Sequence, residues 1–557
     1  MAKGKKSDPD NPSFNEAMLG EHADEYRKAM VTEINQLLRQ RTWDRVDRAS
    51  IPNGPDGKPR RVLPGTWAFK LKRLPDGTPL KFKARYCVRG DLQKEGIDYF
   101  DTYAPVVQWS TIRMVLSLIL HNGWTTKQVD YTNAFAQADL EETVYIDQPR
   151  GFSGVTDKAT KVLHLLKSLY GLKQAPRTFY QKLRTGLEER GFTCSQIDPC
   201  LFMKKDLICI CYVDDTIMCG PDPDAIEREI KSLGVRESDH VHSFMLRDEG
   251  EVGDFLGIHI EKQGEGKFTL TQTGLIEKVI KATGMEKANS CRTPSSTTPL
   301  GLDKEGSAHE ESWDYASVVG MLMYLANNSR PDIAYAVNQC ARFTHSPRAS
   351  HTVGIKRIIR YLRGSRTKGM TLQPSDEFNV DCYVDADFAG LYNIENDQDP
   401  ICVKSRTGYL ITFMGCPLLW RSKIQSLIAL STMEAEYIAL SMSMRELIPI
   451  REIIKEIKST VFREDGFDPK LSSHSKTFIP TSKVYEDNEA CLKFATMPKM
   501  SPRTKHIALP YHFFRSKVEE LEVNVIGIGT LNQLADQFTK GLPEPKFETD
   551  RKRLMGW

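Results

Sequence analysis

Residues 207–213 form an unbroken apolar run that stops at the adjacent acids Asp214-Asp215 and resumes over residues 216–219. Two apolar segments joined by so short an interruption read as a buried hairpin. Neighbouring carboxylates at the tip of such a hairpin repel each other and lose hydration, so each needs a counter-charge or a shifted pKa. Residues 206–219 contain no Lys or Arg to supply that charge. A divalent metal would, and carboxylate oxygens suit Mg2+. An ordinary Asp-rich turn is the competing explanation. Upstream, Val129-Asp130-Tyr131 is a second short strand with an acid, followed by Asn133-Ala134-Phe135. A strand–Asp segment and a strand–Asp-Asp–strand segment are able to bring three carboxylates to two metals about 3.5–4 Å apart, an arrangement suited to phosphoryl transfer.

The chain is long enough for more than one core around that centre. Its 557 residues allow three to five domains at roughly 100–200 residues each. A composition of 40% hydrophobic and 27% charged residues excludes wholesale disorder. With 76 Lys and Arg against 73 Asp and Glu, no global charge excess points to a polyanion, and local charge must carry that argument. The 12 cysteines lack the spacing of a structural zinc site, so reduced thiols in an intracellular compartment are expected. No apolar stretch approaches the ~20 residues that span a bilayer, and no membrane association is expected.

Residues 1–13 read as a disordered basic tail. Ser13-x-x-Glu16 is a capping box, opening a helix whose apolar face is Tyr26, Met30, Ile34, Leu37 and Leu38. Residues 51–90 are strand and turn, with a hairpin signal at Pro75-Asp76-Gly77, and they hold ten Lys and Arg against two Asp. That excess of eight is either a solvated sheet face or a platform for phosphates. Residues 14–235 thus form a first α/β region, and 236–290 a smaller module. A linker follows at 291–312, then a helical stretch at 313–375. Its last helix carries Lys356, Arg360 and Arg363 on one side, again a solvated face or a phosphate rail. From 376 to 545 the pattern of three strands, then alternating helices and strands, predicts a second α/β domain, with a tail at 546–557.

Several segments in order resemble the copia-type LTR retrotransposon Pol, reverse transcriptase–RNase H region. Tyr212-Val213-Asp214-Asp215 resembles the YxDD box of reverse transcriptases. EAMLGEHADEYRKAM, KARYCVRGDLQKEGIDYFDTYAPVV, QVDYTNAFAQADLEETVYIDQPRGF and SLYGLKQAPRTFYQKL are similar to the same family. The resemblance implies a right-hand polymerase of fingers, palm and thumb, α/β and α+β in class, followed by a connection and an RNase H-like domain. It implies Asp130, Asp214 and Asp215 as polymerase metal ligands and Phe135 as a steric gate beneath the nucleotide sugar. Lys83 and Arg85 are implied as triphosphate contacts, with Lys81 a third; Arg suits the role because its planar fork binds phosphate bidentately. Tyr170, Gly171, Lys173 and Gln174 match the loop and helix start that pack on nucleotide and template. Phe255-Leu256-Gly257 matches the primer grip.

The later domain has its own acids. Asp385 and Asp387 end its first strand, Glu434 and Glu436 open a helix, Asp487 follows another strand, and Asp536 lies on a late helix. Acids at such positions are able to converge at one sheet edge and would again call for metal. Glu434 is also the last residue of a Ser431-x-x-Glu434 capping box, and Asp487 is equally placed to be a helix N-cap. The segments YVDADFAG, SRTGYLITFMG, LLWRSKIQSLIALSTMEAEYIAL, VYEDNEAC, RTKHI and NQLADQFTK resemble the RNase H domain of the same family, in order. That implies Asp385, Glu434, Asp487 and Asp536 as ligands, with Glu436 and Asp387 the rivals of Glu434 and Asp385. His506 and His512 are expected on a helix, packing or at its surface.

The activity implied is RNA-directed DNA polymerisation with RNase H cleavage of the hybrid, using Mg2+, two ions per site, with Mn2+ as a substitute. The implied partners are an RNA template, a DNA or tRNA primer, the RNA–DNA hybrid, deoxynucleoside triphosphates and upstream Pol or Gag products. The implied location is a cytoplasmic particle with delivery to the nucleus. No aspartic protease or integrase zinc motif is present, which fits the terminal part of a polyprotein or a stand-alone frame. A decayed or host-adopted copy that binds nucleic acid without catalysis is the rival reading.

Overall fold

The apolar run at 207–213 becomes the strand Leu207–Tyr212, paired in an antiparallel hairpin with Asp215–Gly220. The computed structural model describes residues 8, 10–54, 57–73, 79–152, 155–234, 242–264, 266–392, 394, 400–462, 479–496 and 508–557. The turn at 75–77, the segment RTKHI with His506, and most of the first thirteen residues lie outside them. Around the hairpin is a six-stranded sheet, ordered Leu246–Gly250, Thr125–Tyr131, Asp215–Gly220, Leu207–Tyr212, Leu201–Lys204, Thr193–Cys194. Alternate residues serve opposite layers: Ile208 and Ile210 pack with the helix Trp109–Asn122, while Cys209 and Cys211 pack with Ala175–Glu188 and Pro223–Leu233. A strand covered on both faces has no polar alternation, which is why the run is continuous.

The basic segment forms a two-stranded antiparallel ladder, Gly65–Arg73 with Pro79–Val88. It rests on the helix Ala23–Arg39, where Tyr26 meets Phe69 edge-on at 5.1 Å between ring centroids. Both halves of the capping box at Ser13 and Glu16 form, but the helix they open is the short Phe14–Leu19, ended at the extended Gly20, and the face with Tyr26, Met30, Ile34 and Leu37 lies on the separate helix Ala23–Arg39.

A four-stranded sheet is built from Asp254–Phe255, Ile258–Lys262, Phe268–Thr271 and Met370–Leu372. Its last strand comes from far along the chain, so segments 236–290 and 313–375 share one sheet across the linker. The basic stripe of the Ala349–Gly364 helix is partly engaged by the chain that leads into it. Arg357, Arg360 and Arg363 donate through Nε to the carbonyls of Thr293 (3.2 Å), Asn289 (2.7 Å) and Glu286 (2.9 Å), stapling the incoming chain to the helix. Lys356 pairs with Glu311 at 2.5 Å.

The expected second α/β domain is a five-stranded sheet ordered Cys416–Ile424, Arg406–Phe413, Val380–Asp387, Ser482–Glu486, Val523–Gly527, antiparallel at first and then parallel. The 29-residue helix Thr432–Thr460 packs across it. The expected tail at 546–557 is instead mostly helix, Glu544–Met555, because Phe547, Leu554 and Met555 are apolar at helical spacing and bury. Trp557 then donates Nε1 to the Gly369 carbonyl at 2.7 Å. Among the described residues no helix is long and apolar enough to cross a membrane.

Arg113 ties these parts together. It lies on the helix behind the central sheet and donates to Leu418 O at 2.6 Å, Asn327 O at 2.6 Å and Asn328 O at 2.9 Å. Its guanidinium stacks 4.2 Å over the Trp420 ring. The Asn327 and Asn328 carbonyls end the helix Tyr315–Asn328, whose C-terminus carries partial negative charge. Burial pushes the guanidinium down to about 9. Trp420 caps the same helix end by donating to Ala326 O at 2.8 Å.

Candidate active sites

The pairing Tyr212↔Asp215 leaves Val213 and Asp214 as a two-residue turn. Val213 has φ +55°, a conformation that costs a β-branched residue strain. Asp215 is directly opposite Asp130 in the adjacent strand, and paired residues present their side chains on one face about 5 Å apart at Cβ. The Tyr131 amide donates to Asp214 O at 3.3 Å, locking the turn onto that strand. Burial, then Asp214 and Asp130, push the Asp215 carboxyl up to about 6, with Lys72 opposing. Asp130 and Asp215 therefore share one sheet face with Asp214 at the adjoining turn, although among the described residues the three do not bring carboxylate oxygens within 4.8 Å of one another.

The cationic ladder faces them. Lys70 stands opposite Lys83, and Lys72 opposite Lys81. Like charges so paired destabilise a hairpin unless an anion lies over them. Burial lowers the Lys83 ammonium, and Lys72, Arg85 and Lys81 lower it further, while Asp130 acts in the other direction. The Arg85 guanidinium lies 4.5 Å over the Tyr170 ring, and Tyr170 meets Phe135 edge-on at 4.9 Å. Arg85, Tyr170 and Phe135 thus form one wall beside the acids.

Gly171 has φ +92°, and a Cβ there would stand 2.1 Å from Val88 O. Only glycine permits this approach, which lets the Val88 amide donate to Tyr170 O at 2.7 Å. Lys173 and Gln174 are held differently from the expectation that they touch nucleotide or template. Gln174 is 2% exposed and its Nε2 donates to Asp98 O at 2.9 Å while its Oε1 accepts from Gln93 at 3.0 Å. Its amide is spent inside the protein. Lys173 bonds Tyr99 OH at 3.2 Å, and its backbone amide donates to the Gln93 side chain at 2.8 Å. In the Phe255-Leu256-Gly257 segment, Phe255 pairs with Ile258 and is fully buried. Leu256 (φ +52°) and Gly257 (φ +72°) make the turn, and Leu256 O accepts from Tyr324 OH at 2.6 Å.

In the second domain Asp385 lies near the end of the middle strand, and Asp487 just follows its parallel neighbour. Oxygens of Asp385, Glu436 and Asp487 lie within 4.8 Å of one another, as a metal site needs. The acid that the helix contributes is Glu436, not Glu434. The Glu434 carboxylate accepts the Leu430 amide at 2.8 Å, and its own amide donates to Ser431 Oγ at 3.3 Å. Glu434 is a helix cap, and two residues further on the helix has turned roughly 200° to face the sheet. Burial first, then Glu486, Asp385 and Asp487, raise the Glu436 carboxyl well above the usual range. One of its oxygens is buried with no hydrogen-bond partner among the described residues. Burial pushes Asp385 up to about 6, with Lys540 opposing.

Asp536 stands beside this cluster, joined to it by Lys540, which is 2.6 Å from Asp536 and 3.9 Å from Asp385. Thr539 donates its hydroxyl to Asp385. Gly408, paired with Asp385, allows the Ala535–Thr539 backbone this close: a Cβ there would come within 3.0 Å of it. Asp387, the rival of Asp385, is held up by burial, with Lys540 and Arg406 opposing. Glu486 is a further acid here, fully buried and pushed up to about 8 by burial, with Asp487 and Asp385 adding. The sequence signal for it was the Glu486-Asp487 doublet at a strand end. His512 falls on the helix Ala508–Glu519.

Residues 42–297 match the family described as reverse transcriptase (RNA-dependent DNA polymerase). The chain is also 34% identical, over 99% of its length, to the retrovirus-related Pol polyprotein from transposon TNT 1-94 of Nicotiana tabacum. Over nearly its whole length the chain is similar to the copia-type Pol family. The chain is 33% identical, over 95% of its length, to the Pol polyprotein from transposon RE1 of Arabidopsis thaliana. It is 27% identical, over 94% of its length, to the transposon Ty1-H Gag-Pol polyprotein of Saccharomyces cerevisiae. The chain covers 39%, 34% and 28% of those three proteins. Among solved structures it aligns with a foamy viral protease–reverse transcriptase in complex with double-stranded DNA. That alignment covers 91% of this chain and 70% of the other at 13% identity and a TM-score of 0.45, too distant to carry an argument.

Proposed function

We propose that this chain is an RNA-directed DNA polymerase joined to a ribonuclease H, copying an RNA template from a primer and degrading the RNA of the resulting hybrid. The observation that carries the reading is the in-register pair Asp130–Asp215 with Asp214 at the turn between the strands. The carboxylate oxygens of the second group, which lie within 4.8 Å of one another, fit a hard divalent cation, and so does the first group's charge, with Asp215 pushed up to about 6 by burial and by Asp214 and Asp130. Asp130, Asp214 and Asp215 would hold Mg2+ at the first site, and Asp385, Glu436 and Asp487 at the second. When bound, such ions neutralise phosphate charge and make a hydroxyl or water nucleophilic at neutral pH.

The chain's own residues do the rest. Lys83 and Arg85 bind the triphosphate of the incoming nucleotide, and stacking on Tyr170 fixes the plane of the Arg85 fork. Phe135, packed edge-on against Tyr170, fills the space where a ribose 2′-hydroxyl would sit, so deoxynucleotides are preferred. Leu256-Gly257, held by Tyr324, presents backbone to the primer. At the second site Lys540 holds Asp536 beside Asp385.

Primer extension on an RNA template with deoxynucleotides in Mg2+ or Mn2+, run alongside cleavage of a labelled RNA–DNA hybrid, tests the reading. Both activities are expected, and Asp214→Asn should remove extension while sparing cleavage. A folded wild-type chain that binds template–primer yet extends nothing in either metal would replace this reading with that of a catalytically decayed binding protein.

A further inference from the structure

Asp130 has two in-register neighbours. Asp215 lies across from it in one adjacent strand, and Arg247 lies across from it in the other, the edge strand Leu246–Gly250. Paired residues share a sheet face, so Asp215, Asp130 and Arg247 form a row with Cβ atoms about 5 Å apart at each step. Arg247 is exposed, and among the described residues its side chain makes no hydrogen bond or ion pair, although a carboxylate stands beside it. Its strand neighbours are engaged. Asp248 pairs with Lys127 at 2.9 Å, and Glu249 accepts from Gln128 Nε2 at 3.3 Å.

The other cations of the site come from the opposite direction. Lys83 senses Asp130 and Lys72 is sensed by Asp215, both across the gap from the basic ladder. A phosphate lying over the acids therefore has cations on the ladder side, and Arg247 adds one on the sheet, in register with Asp130. An arginine stays charged at any working pH and offers five donors in a planar fork.

We infer that Arg247 binds a substrate phosphate at the polymerase site, gripping it from the sheet side of Asp130. The inference rests on the polymerase reading for the identity of the substrate, and the phosphate has two sources, the triphosphate of the nucleotide or the backbone of the primer end. It is a substrate-binding residue that no motif in the sequence announces.

The test compares wild type, Arg247→Ala and Arg247→Lys in the full chain, with hybrid cleavage as the check that each variant is folded. Steady-state extension supplies kcat and the nucleotide KM; titration of a fluorescent template–primer duplex at two salt concentrations supplies Kd. Binding of inorganic pyrophosphate in Mg2+ buffer is measured directly, without turnover. Loss of one charge-assisted contact should weaken the relevant binding step roughly tenfold or more, with Lys recovering part of it. A raised nucleotide KM with weakened pyrophosphate binding assigns the triphosphate. A raised duplex Kd with a shallower salt dependence assigns the primer. Arg247→Ala leaving nucleotide KM, pyrophosphate binding and duplex Kd all within twofold of wild type would overturn the inference. Should wild type extend no primer, the polymerase reading fails by itself, and the two binding measurements still decide Arg247.

Discussion

Glu434 and Glu436 stand two positions apart on one helix and have separate jobs: the first accepts the Leu430 amide at 2.8 Å, while the second meets Asp385 and Asp487. Glu434→Ala should therefore lower stability by about 1 kcal/mol, the typical worth of a cap, and leave hybrid cleavage intact. Glu436→Gln should cut cleavage by roughly a hundredfold or more. Cleavage rates and urea midpoints of the two variants check this, and loss of cleavage in Glu434→Ala with retention in Glu436→Gln would reverse the assignment.

Phe135 and Tyr170 lock edge-on at 4.9 Å, so the ring has little freedom to move aside. Phe135→Val should admit ribonucleotides, lowering the preference for deoxynucleotides by roughly tenfold or more. The ratio of kcat/KM for matched deoxy- and ribonucleotides measures it; an unchanged ratio removes Phe135 from the gate.

Glu33, buried on the helix under the basic ladder, has its carboxyl pushed up to about 6 from 4.5 by burial, with the Tyr86 amide and Arg85 opposing. A raised acid binds its proton more tightly in the folded state, so its contribution is full below pH 4.5 and is lost as pH rises through about 6. A shift of that size corresponds to about 2 kcal/mol. Glu33→Gln should remove this loss. Urea unfolding at pH 5 and pH 7.5 should give a smaller drop for the variant than for wild type, and equal drops would refute the account.

Arg113 satisfies three backbone carbonyls drawn from two distant parts of the chain. Arg113→Met keeps the volume and strands those carbonyls, at a cost of about 3–5 kcal/mol. Because the contact joins the helix behind the polymerase acids to the later sheet, extension and hybrid cleavage should lose heat resistance together. Thermal inactivation followed through both activities tests it, and separate inactivation temperatures would show that the two halves unfold independently.

The proposed metal loading predicts a further dependence. Removing divalent cations with a chelator at pH 8 should lower the melting temperature, because Asp385 and Glu436 are then left as crowded buried acids and Asp215 as a half-buried acid beside Asp214 and Asp130. Restoring Mg2+ should reverse the loss. A melting temperature indifferent to Mg2+ would argue against occupancy of either site.

Much of the first site was legible because its information is local. An apolar run broken by two acids specifies a buried hairpin with a charged tip, and a strand ending in Asp130 needs only to pair beside it. The basic ladder was legible as an excess of charge, although its facing the acids was not. The later sheet was readable strand by strand from alternation and turn residues. Gln174 was misread as a surface contact, since an amide beside a loop looks the same whether it meets solvent or, as here, Gln93 and Asp98. The 546–557 segment was read as a tail because a helix rich in Lys and Arg shows its apolar stripe only when something exists for the stripe to cover.

Sequence alone determined that two groups of acids exist, that each sits at strand or helix ends, and which family the ordered motifs resemble. Tertiary structure alone decided that Glu436 rather than Glu434 completes the second group, and that Arg247 stands beside Asp130. The physical reason is one of range. Strand and helix periods are set by neighbours a few residues away, whereas the convergence of charges depends on how a helix is rotated on its sheet and on which distant strand pairs in register.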